Sequence, residues 1–153
     1  MKKSIFNIAI LFSTFAFLLT SCSSDNDDLV TISGKYTLTM DAQTVASGET
    51  EEVGMLGNAI SLSLGDNFSI IVSGVPESAG EVIQIDDESE ASVIISGINL
   101  LGDGADEIYF SITGTVTRES GSKITFEGTC SEFGATTTHN FSGTAESDAF
   151  KII

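Results

Sequence analysis

The sequence predicts an all-β protein, an antiparallel up-and-down β-barrel of about eight strands, with a β-sandwich as the alternative. Three observations support this class. Apolar and polar residues alternate with a period of two over most of the chain after residue 30. Turn residues, mainly Gly, Asp, Asn and Ser, interrupt the alternation at short intervals. No window of helical length shows an apolar repeat near 3.6 residues.

Residues 1–21 have the layout of a bacterial signal peptide. Lys2 and Lys3 are basic, and an apolar run of 15 residues, broken only by small polar residues, extends from Ile5 to Leu19. Such a run is short for a transmembrane helix but has the length of a signal-peptide core. We therefore exclude residues 1–21 from the predicted fold.

The leader ends in Leu19-Thr20-Ser21-Cys22, which resembles the lipobox of bacterial lipoproteins. The resemblance implies that Cys22 becomes the N-terminal residue and that its thiol carries a diacylglycerol. Two or more acyl chains, at about 0.8 kcal/mol per buried methylene, anchor a protein stably where one chain does not. The membrane, reached through the lipid on Cys22, is therefore an expected partner. The alternative is an ordinary secretory signal with a chance cysteine near the cleavage point.

Residues 22–29 combine this cysteine with an acidic tract that has no apolar residue before Leu29, so we predict a solvated tether. The tract Ser23-Ser24-Asp25-Asn26-Asp27-Asp28 resembles the acidic export signal of surface lipoproteins of the Bacteroidetes. This resemblance implies a lipid-anchored protein of the outer membrane, exposed at the cell surface. If the tract is only a spacer, the alternative is an anchor that faces the periplasm.

The remaining residues, 30–153, are predicted to form one β-barrel domain in a strongly acidic chain. From Cys22 onward the chain has 22 acidic and four basic side chains, which gives it a net charge of −18. The basic residues are Lys35, Arg118, Lys123 and Lys151. Nucleic-acid binding requires clustered Lys and Arg, so no nucleic-acid partner is predicted. With Cys22 lipidated, Cys130 is the remaining thiol and cannot form an intramolecular disulfide.

The strands follow from the alternation in chain order. The first covers residues 32–40, where every even position is apolar or Gly. Less regular strands are predicted at 59–64, 68–75, 82–85 and 93–98. Three regular strands follow at 108–116, 123–130 and 139–145. Their inward-facing side chains are predicted to include Ile108, Phe110, Ile112, Ile124, Phe126, His139 and Phe141.

Glycines recur on the apolar face of these strands, where they bury no side chain. The spacing predicts that Gly114, Gly128 and Gly143 lie opposite one another in a row across adjacent strands. We interpret the row as structural, because glycine lets a sheet bend or makes room for a large neighbouring side chain. The alternative is that the missing side chains leave space for a ligand.

The first strand contains Gly34-Lys35-Tyr36-Thr37, a stretch that resembles the start of the barrel in the calycin-like domains of Bacteroidetes lipoproteins. Lipocalins and related calycins have Gly-x-Trp at this point. The resemblance implies an up-and-down barrel with one open end, filled by side chains or holding one small ligand. This chain has no Trp, and Lys151 is the nearest candidate for the basic residue that crosses the aromatic ring in lipocalins.

The expected function is a non-enzymatic binding role in the cell envelope, toward a small hydrophobic ligand or a protein partner. If the barrel has a cavity, the candidate ligand-binding residues are Tyr36, Phe110, Phe126, His139 and Phe141. The alternative is a surface adhesion or structural β-sandwich module without a pocket. An exposed aromatic platform for carbohydrate is not indicated, since Tyr36 and Tyr109 are the only tyrosines.

The sequence contains no constellation that predicts catalysis, a cofactor or a metal. His139, the single histidine, can pair with Glu132 or lie near Cys130, but a nucleophilic pair also needs an orienting group and an oxyanion hole. One His and one Cys are too few for zinc. The acidic clusters at residues 86–88 and 103–107 are predicted to be solvated turns, with weak calcium binding at Asp103 and Asp106 left open.

Overall fold

The computed structural model describes residues 32–63, 68–98, 100–101 and 106–152, and almost all of them are strand or turn. The strands are β1 (Gly34–Met40), β2 (Gln43–Thr50), β3 (Glu52–Leu56), β4 (Ala59–Ser63), β5 (Phe68–Ser73), β6 (Val82–Ile85), β7 (Ser92–Ile98), β8 (Asp106–Ser120), β9 (Lys123–Glu132) and β10 (Thr138–Glu146). A short 3-10 helix, Asp148–Ile152, follows β10. The prediction of an all-β protein is confirmed.

All strands belong to one antiparallel sheet, in the order β2-β1-β10-β9-β8-β7-β5-β4-β3, with β6 paired to β8 beside this path. The first regular strand pairs with the last, from Lys35 opposite Glu146 to Met40 opposite Phe141. This pairing rolls the sheet into a nearly closed barrel, because the chain's earliest and latest strands become neighbours. The barrel, rather than the sandwich, is therefore the architecture, and it is compatible with a calycin-like fold.

At one seam of the barrel, the two neighbouring strands are not joined by a regular series of backbone hydrogen bonds. It lies between β2 and β3, the two ends of the strand path, which follow one another directly in sequence. Two contacts join the strands in the lower part of this seam, the part near Thr50. The Thr50 hydroxyl donates a hydrogen bond to the Ser63 carbonyl, and a single β-bridge pairs Ile32 with Glu52. Above them, the side chains of β1 and β5 meet across the interior.

The barrel interior is packed with apolar side chains from nearly every strand. Leu38, Met40, Ile60, Leu62, Ile70, Val72, Val116, Ile124 and Phe126 are each 1% exposed or less. The 3-10 helix adds Phe150, which is completely buried and covers one end of the barrel. Interiors packed in this way leave few voids larger than a water molecule.

Arg118 lies at this covered end and is 2% exposed, although it carries a full charge. Its guanidinium donates to the carbonyls of Pro76 (3.0 Å), Gly121 (3.1 Å) and Phe150. These three acceptors belong to different segments, so one side chain joins the β5–β6 connection, the β8–β9 turn and the 3-10 helix. By contrast Lys151, the nearest sequence candidate for the lipocalin basic position, is exposed and pairs with Asp148.

Of the two glycine pairings predicted for this row, one is correct and the other is wrong. Gly114 does lie opposite Gly128. Gly143, however, lies opposite Phe126, while Gly128 faces Phe141. The turn between β9 and β10 is centred one residue earlier in the chain than the spacing suggests. Each β10 residue therefore pairs with a β9 residue two positions from the predicted one, and both side chains stay on the predicted face of the sheet. The ring of Phe126 lies against Gly143, which supports the structural interpretation of these glycines.

A β-bulge in β8 overturns part of the predicted inward face. The register with β9 shifts between Ser111 and Thr113, leaving Ile112 as the extra residue. An extra residue moves every side chain before it to the opposite face. Val116 therefore points inward as predicted, whereas Tyr109 is buried in place of Phe110. Ile108 and Ile112 are 39% and 43% exposed, so their predicted inward orientation is wrong.

Candidate functional site

Cys22, the predicted lipidation site, lies outside the described residues, as do the rest of the predicted leader and tether. Among the residues that are described, no helix is long and apolar enough to cross a membrane. Both the leader and the lipid anchor remain predictions from the sequence.

Phe126 and Phe141 point into the barrel as predicted, but there they form part of the packed core. They are 1% and 3% exposed, and their ring centroids are 6.4 Å apart. An alanine-sized side chain at Gly143 would approach the Phe126 ring to 2.4 Å, so the ring already occupies the space that this glycine leaves. These two candidates thus stabilise the fold through burial of aromatic surface.

Tyr36 lies at the upper part of the seam, half-buried, where it stacks on Phe68 with ring centroids 6.1 Å apart. Its hydroxyl end passes over Gly48 on β2, and burial raises the pKa of this hydroxyl. The side chains of Leu100 and Phe68 both lie against Gly97. Tyr36 is therefore oriented inward as predicted, in a partly solvent-accessible apolar cluster that closes the barrel across the seam.

His139 lies opposite Cys130, one of the two neighbours expected from the sequence, and its polar partner is Asp41 rather than Glu132. The distance from His139 Nδ1 to Asp41 Oδ2 is 2.7 Å, and the Asn140 amide donates to Asp41 Oδ1 at 2.9 Å. The His139 hydrogen bond, aided by the Asn140 amide, lowers the pKa of the Asp41 carboxyl. This link therefore stabilises the fold above the ordinary carboxyl pKa and is lost as the pH falls through the lowered value.

Asp41 also occupies an unusual backbone position, which the His139 contact helps to hold. Asp41 and Ala42 form the β1–β2 turn with φ angles of 46° and 65°. Left-handed conformations of this kind favour Gly or Asn, so the turn is strained at Ala42. The Asp41–His139 link thus joins this turn to the start of β10. It is a structural role that requires no substrate.

Cys130 is buried beside these residues, and burial raises the pKa of its thiol to about 11, with a further contribution from the Asp41 carboxylate. At pH 8 only about one thiol in a thousand would then be ionised, against about a quarter at an unperturbed pKa. We expect iodoacetamide at pH 8 to modify Cys130 at least about 100-fold more slowly in the native protein than in urea. Peptide mass spectrometry over time measures both rates; rates within a few-fold of each other would contradict this assignment.

Glu107 is a buried carboxylate that the sequence placed in a solvated acidic turn. It lies in β8 and is 3% exposed. The Tyr109 hydroxyl donates to Glu107 Oε1 at 3.1 Å, and the Leu101 amide donates to Oε2 at 3.2 Å. The Tyr109 ring also meets the His139 ring edge-to-face at 5.6 Å. Asp103, proposed for calcium, lies outside the described residues, within which no three His, Cys, Asp or Glu side chains are placed to hold a metal ion.

Phe110 lies on the outer face of the barrel, so its predicted place in an internal cavity is wrong. It is opposite Ile94, which is opposite Ile71, and these outward side chains are separate from the main core. The ring of Phe133, in the β9–β10 connection, packs edge-on against Phe110 with centroids 6.0 Å apart. The Phe133 amide also donates to the Ile108 carbonyl.

We call Ile71, Ile94, Ile108, Phe110 and Phe133 the outer apolar patch. Its most unusual member is Phe133, which is 82% exposed, far more than any other large apolar side chain described. Its backbone amide is hydrogen-bonded and its ring contacts Phe110, so the exposed aromatic is presented beside the other residues of the patch. A sequence signal was available, since apolar residues occupy consecutive positions from Ile108 to Phe110 and therefore both faces of the strand.

The five predicted ligand residues are therefore divided among four places: the core, the seam cluster, the His139–Asp41 link and the outer apolar patch. Comparisons of the chain with protein-family models, with curated proteins and with solved structures found no match. The functional argument consequently rests on the surfaces that the barrel presents.

Proposed function

We propose that this chain is a lipoprotein of the bacterial cell envelope that binds a protein partner through its outer apolar patch and catalyses no reaction. The observation that carries the proposal is Phe133, an exposed aromatic ring packed edge-on against Phe110 at the surface of a strongly acidic domain. Aromatic side chains are enriched at the centres of protein interfaces, where a few of them supply most of the binding energy.

A protein partner fits this patch better than the membrane surface does. The exposed Glu132 adjoins Phe133 in sequence, and the chain from Cys22 onward has a net charge of −18. Anionic headgroups repel such a domain. An internal hydrophobic ligand is also less favoured, because Phe126 and Phe141, which would line its pocket, are buried against neighbouring residues of the core.

The anchor is the part of the proposal that comes from the lipobox-like Leu19-Thr20-Ser21-Cys22 and the acidic tract after it. We expect the mature protein to begin at a diacylglyceryl-modified Cys22, to partition into detergent and to be cleaved by protease added to intact cells. Cys22→Ala should yield an uncleaved or released form. An unmodified Cys22 in the mature protein, shown by mass spectrometry, would refute the lipoprotein assignment, and full protease protection would favour the periplasm-facing alternative.

The partner site is tested by placing a photo-crosslinking amino acid at position 133 in intact cells. We expect one discrete protein adduct, because an apolar interface places the partner within van der Waals contact of this side chain. The matched control is position 56, since Leu56 is another exposed apolar residue, at 49%, on β3. The same adduct from both positions, or none from position 133, would contradict the proposal.

Phe133→Ser supplies the quantitative counterpart. Truncating a central aromatic anchor typically costs 2 kcal/mol or more, about 30-fold in affinity. The complex identified by crosslinking should therefore weaken by about this factor, whereas Leu56→Ser should leave it unchanged. Saturable uptake of a hydrophobic fluorescent probe that Phe133→Ser does not affect would instead favour an internal ligand.

A further inference from the structure

Polar side chains form regular rows on the outer wall of the barrel, away from the outer apolar patch. One row crosses four strands through Thr37, Thr144, Thr125 and Thr117. The next row crosses the same strands and reaches β6 through Thr39, Ser142, Glu127, Thr115 and Gln84. The residues between these positions, such as Leu38 and Val116, are buried, so the rows face outward.

The second row lines an open groove of about 550 Å³. Thr129 and Asn140 from the following row and Ala42 from the β1–β2 turn complete its walls, and Gly114 and Gly128 contribute only backbone to it. This volume lies within the range of about 300–1,000 Å³ that small-ligand sites occupy. The groove runs across the strands, from β1 through β10, β9 and β8 to β6.

The polar side chains of the second row are available to a ligand. Within the described part of the chain, no hydrogen bond to protein uses the side chain of Thr39, Gln84, Thr115, Glu127 or Ser142. The hydroxyls and the amide can both donate and accept, while the carboxylate accepts. This set matches a ligand whose own groups are hydroxyls, because each hydroxyl also donates and accepts.

The charge and the side-chain types of the groove disfavour anionic and apolar occupants. Glu127 is the one charged side chain in the groove lining, and the whole chain has a net charge of −16, so an anionic ligand would be repelled. Among the described lining residues, only Ala42 and the largely buried Phe141 are apolar, and the other carbon atoms at the surface belong to glycines and polar side chains, so no large apolar side chain is exposed to a ligand. We propose that the groove binds a neutral polyhydroxylated ligand, a carbohydrate chain lying across β10, β9 and β8.

Recognition at this site would come from hydrogen bonds, because no exposed aromatic ring lines the groove for a sugar to stack on. Such contacts exchange protein–water for protein–ligand hydrogen bonds, and their net gain is small. We therefore expect millimolar affinity for one site. Many copies anchored on one surface would raise the overall affinity for a polymer through multivalency. The proposal does not depend on the outer apolar patch or its partner.

The test is a titration of the full-length lipoprotein, purified in a detergent without sugar headgroups, and followed by saturation-transfer NMR. The probes are maltohexaose, cellohexaose and mannohexaose, with oligogalacturonate and hexalysine as charged comparisons. We expect saturable, salt-insensitive binding of at least one neutral hexasaccharide. The double variant Thr39→Val, Thr115→Val should weaken that binding about tenfold or more, since it removes two hydroxyls of the groove.

The control pair is Thr37→Val, Thr117→Val, which makes the same changes on the same two strands in the row beside the groove. It should leave the affinity unchanged. If the first pair fails to fold, Gln84→Ala, at an exposed position of β6, replaces it and should also weaken binding. The proposal is overturned by equal affinities for groove and control variants, by no saturable binding of any neutral hexasaccharide, or by salt-sensitive binding of hexalysine alone.

Discussion

Gly128→Ala is expected to lower the free energy of unfolding by about 3 kcal/mol or more, the upper end of what overpacking costs. A methyl group on Gly128 would lie 1.9 Å from the Thr113 carbonyl oxygen and 2.7 Å from the Gly114 Cα. These are backbone atoms, so no rotamer change can relieve the overlap. The strands would have to separate at the point where β8 and β9, the two longest strands, pair with each other.

The β8 bulge makes this separation costly, because the residues around it are already fixed. The hydroxyls of Thr113 and Thr129 hydrogen-bond across the strands at 2.8 Å, beside the shift in register. Gly114 has a φ of 146°, which L side chains rarely adopt, so a side chain at position 114 would add backbone strain to the same close approach. We therefore expect the loss of stability to be accompanied by faster amide hydrogen exchange in β8 and β9.

Gly121→Ala is the control for this prediction. Gly121 lies in the β8–β9 turn, where a methyl would meet only Lys151 Cγ, at an ordinary 3.7 Å. We expect a change of less than about 0.5 kcal/mol there. Urea unfolding of both variants, followed by circular dichroism, measures the difference. Equal midpoints for the two variants would show that the close approach of Gly114 and Gly128 does not constrain the barrel.

Period-two alternation predicted the barrel well where one face of a strand is apolar and the other polar. In β1, β9 and β10 the residues predicted inward include Leu38, Phe126 and Phe141, and all three are buried. These faces alone did not determine whether β1 and β10 pair, so the β-sandwich stayed open as the alternative. The resemblance of Gly34-Lys35-Tyr36-Thr37 to a calycin start implied a barrel, and the pairing of β1 with β10 in the structure is what distinguishes the barrel from the sandwich.

Alternation failed where the backbone departs from regular geometry. The sequence from Glu107 to Thr113 carries apolar residues on both faces, so it cannot indicate which residue a bulge leaves unpaired. Strands β2 and β3 were not predicted, because β2 is an edge strand of mostly polar residues with little alternation. The turn before it contains Asp41 and Ala42, not the glycine that its positive φ angles would suggest.

The two candidate surfaces were not predicted from the sequence for a related reason. The outer apolar patch exists because the bulge turns Phe110 outward, and the polar groove exists because hydroxyl-bearing residues of separate strands come into register. Register depends on connection lengths, and a shift of one residue in the β9–β10 connection was enough to misplace the partner of Gly143. Sequence alternation thus predicts which face of the sheet a residue lies on better than it predicts which residue lies opposite on the next strand.

Arg118→Met is expected to destabilise the protein by about 3–5 kcal/mol, the range for breaking a buried charged hydrogen-bond network. The thioether fills part of the volume but donates no hydrogen bond, so the carbonyls of Pro76, Gly121 and Phe150 lose a shared donor. Each buried carbonyl left without a partner costs about 1–3 kcal/mol. Phe150, completely buried under the barrel end, should then loosen together with the rest of the 3-10 helix.

Lys151→Met is the matched control, because it also replaces a basic side chain by Met in the same region. Lys151 is exposed and its partner Asp148 is exposed too, so we expect less than about 0.5 kcal/mol. Arg118→Lys should recover only part of the stability, since one ammonium cannot reproduce the spread of the guanidinium fork. Thermal and urea unfolding rank the three variants. If Arg118→Met and Lys151→Met unfold alike, Arg118 does not fasten the barrel end, and the three segments it joins must be held by the packing of Phe150 alone.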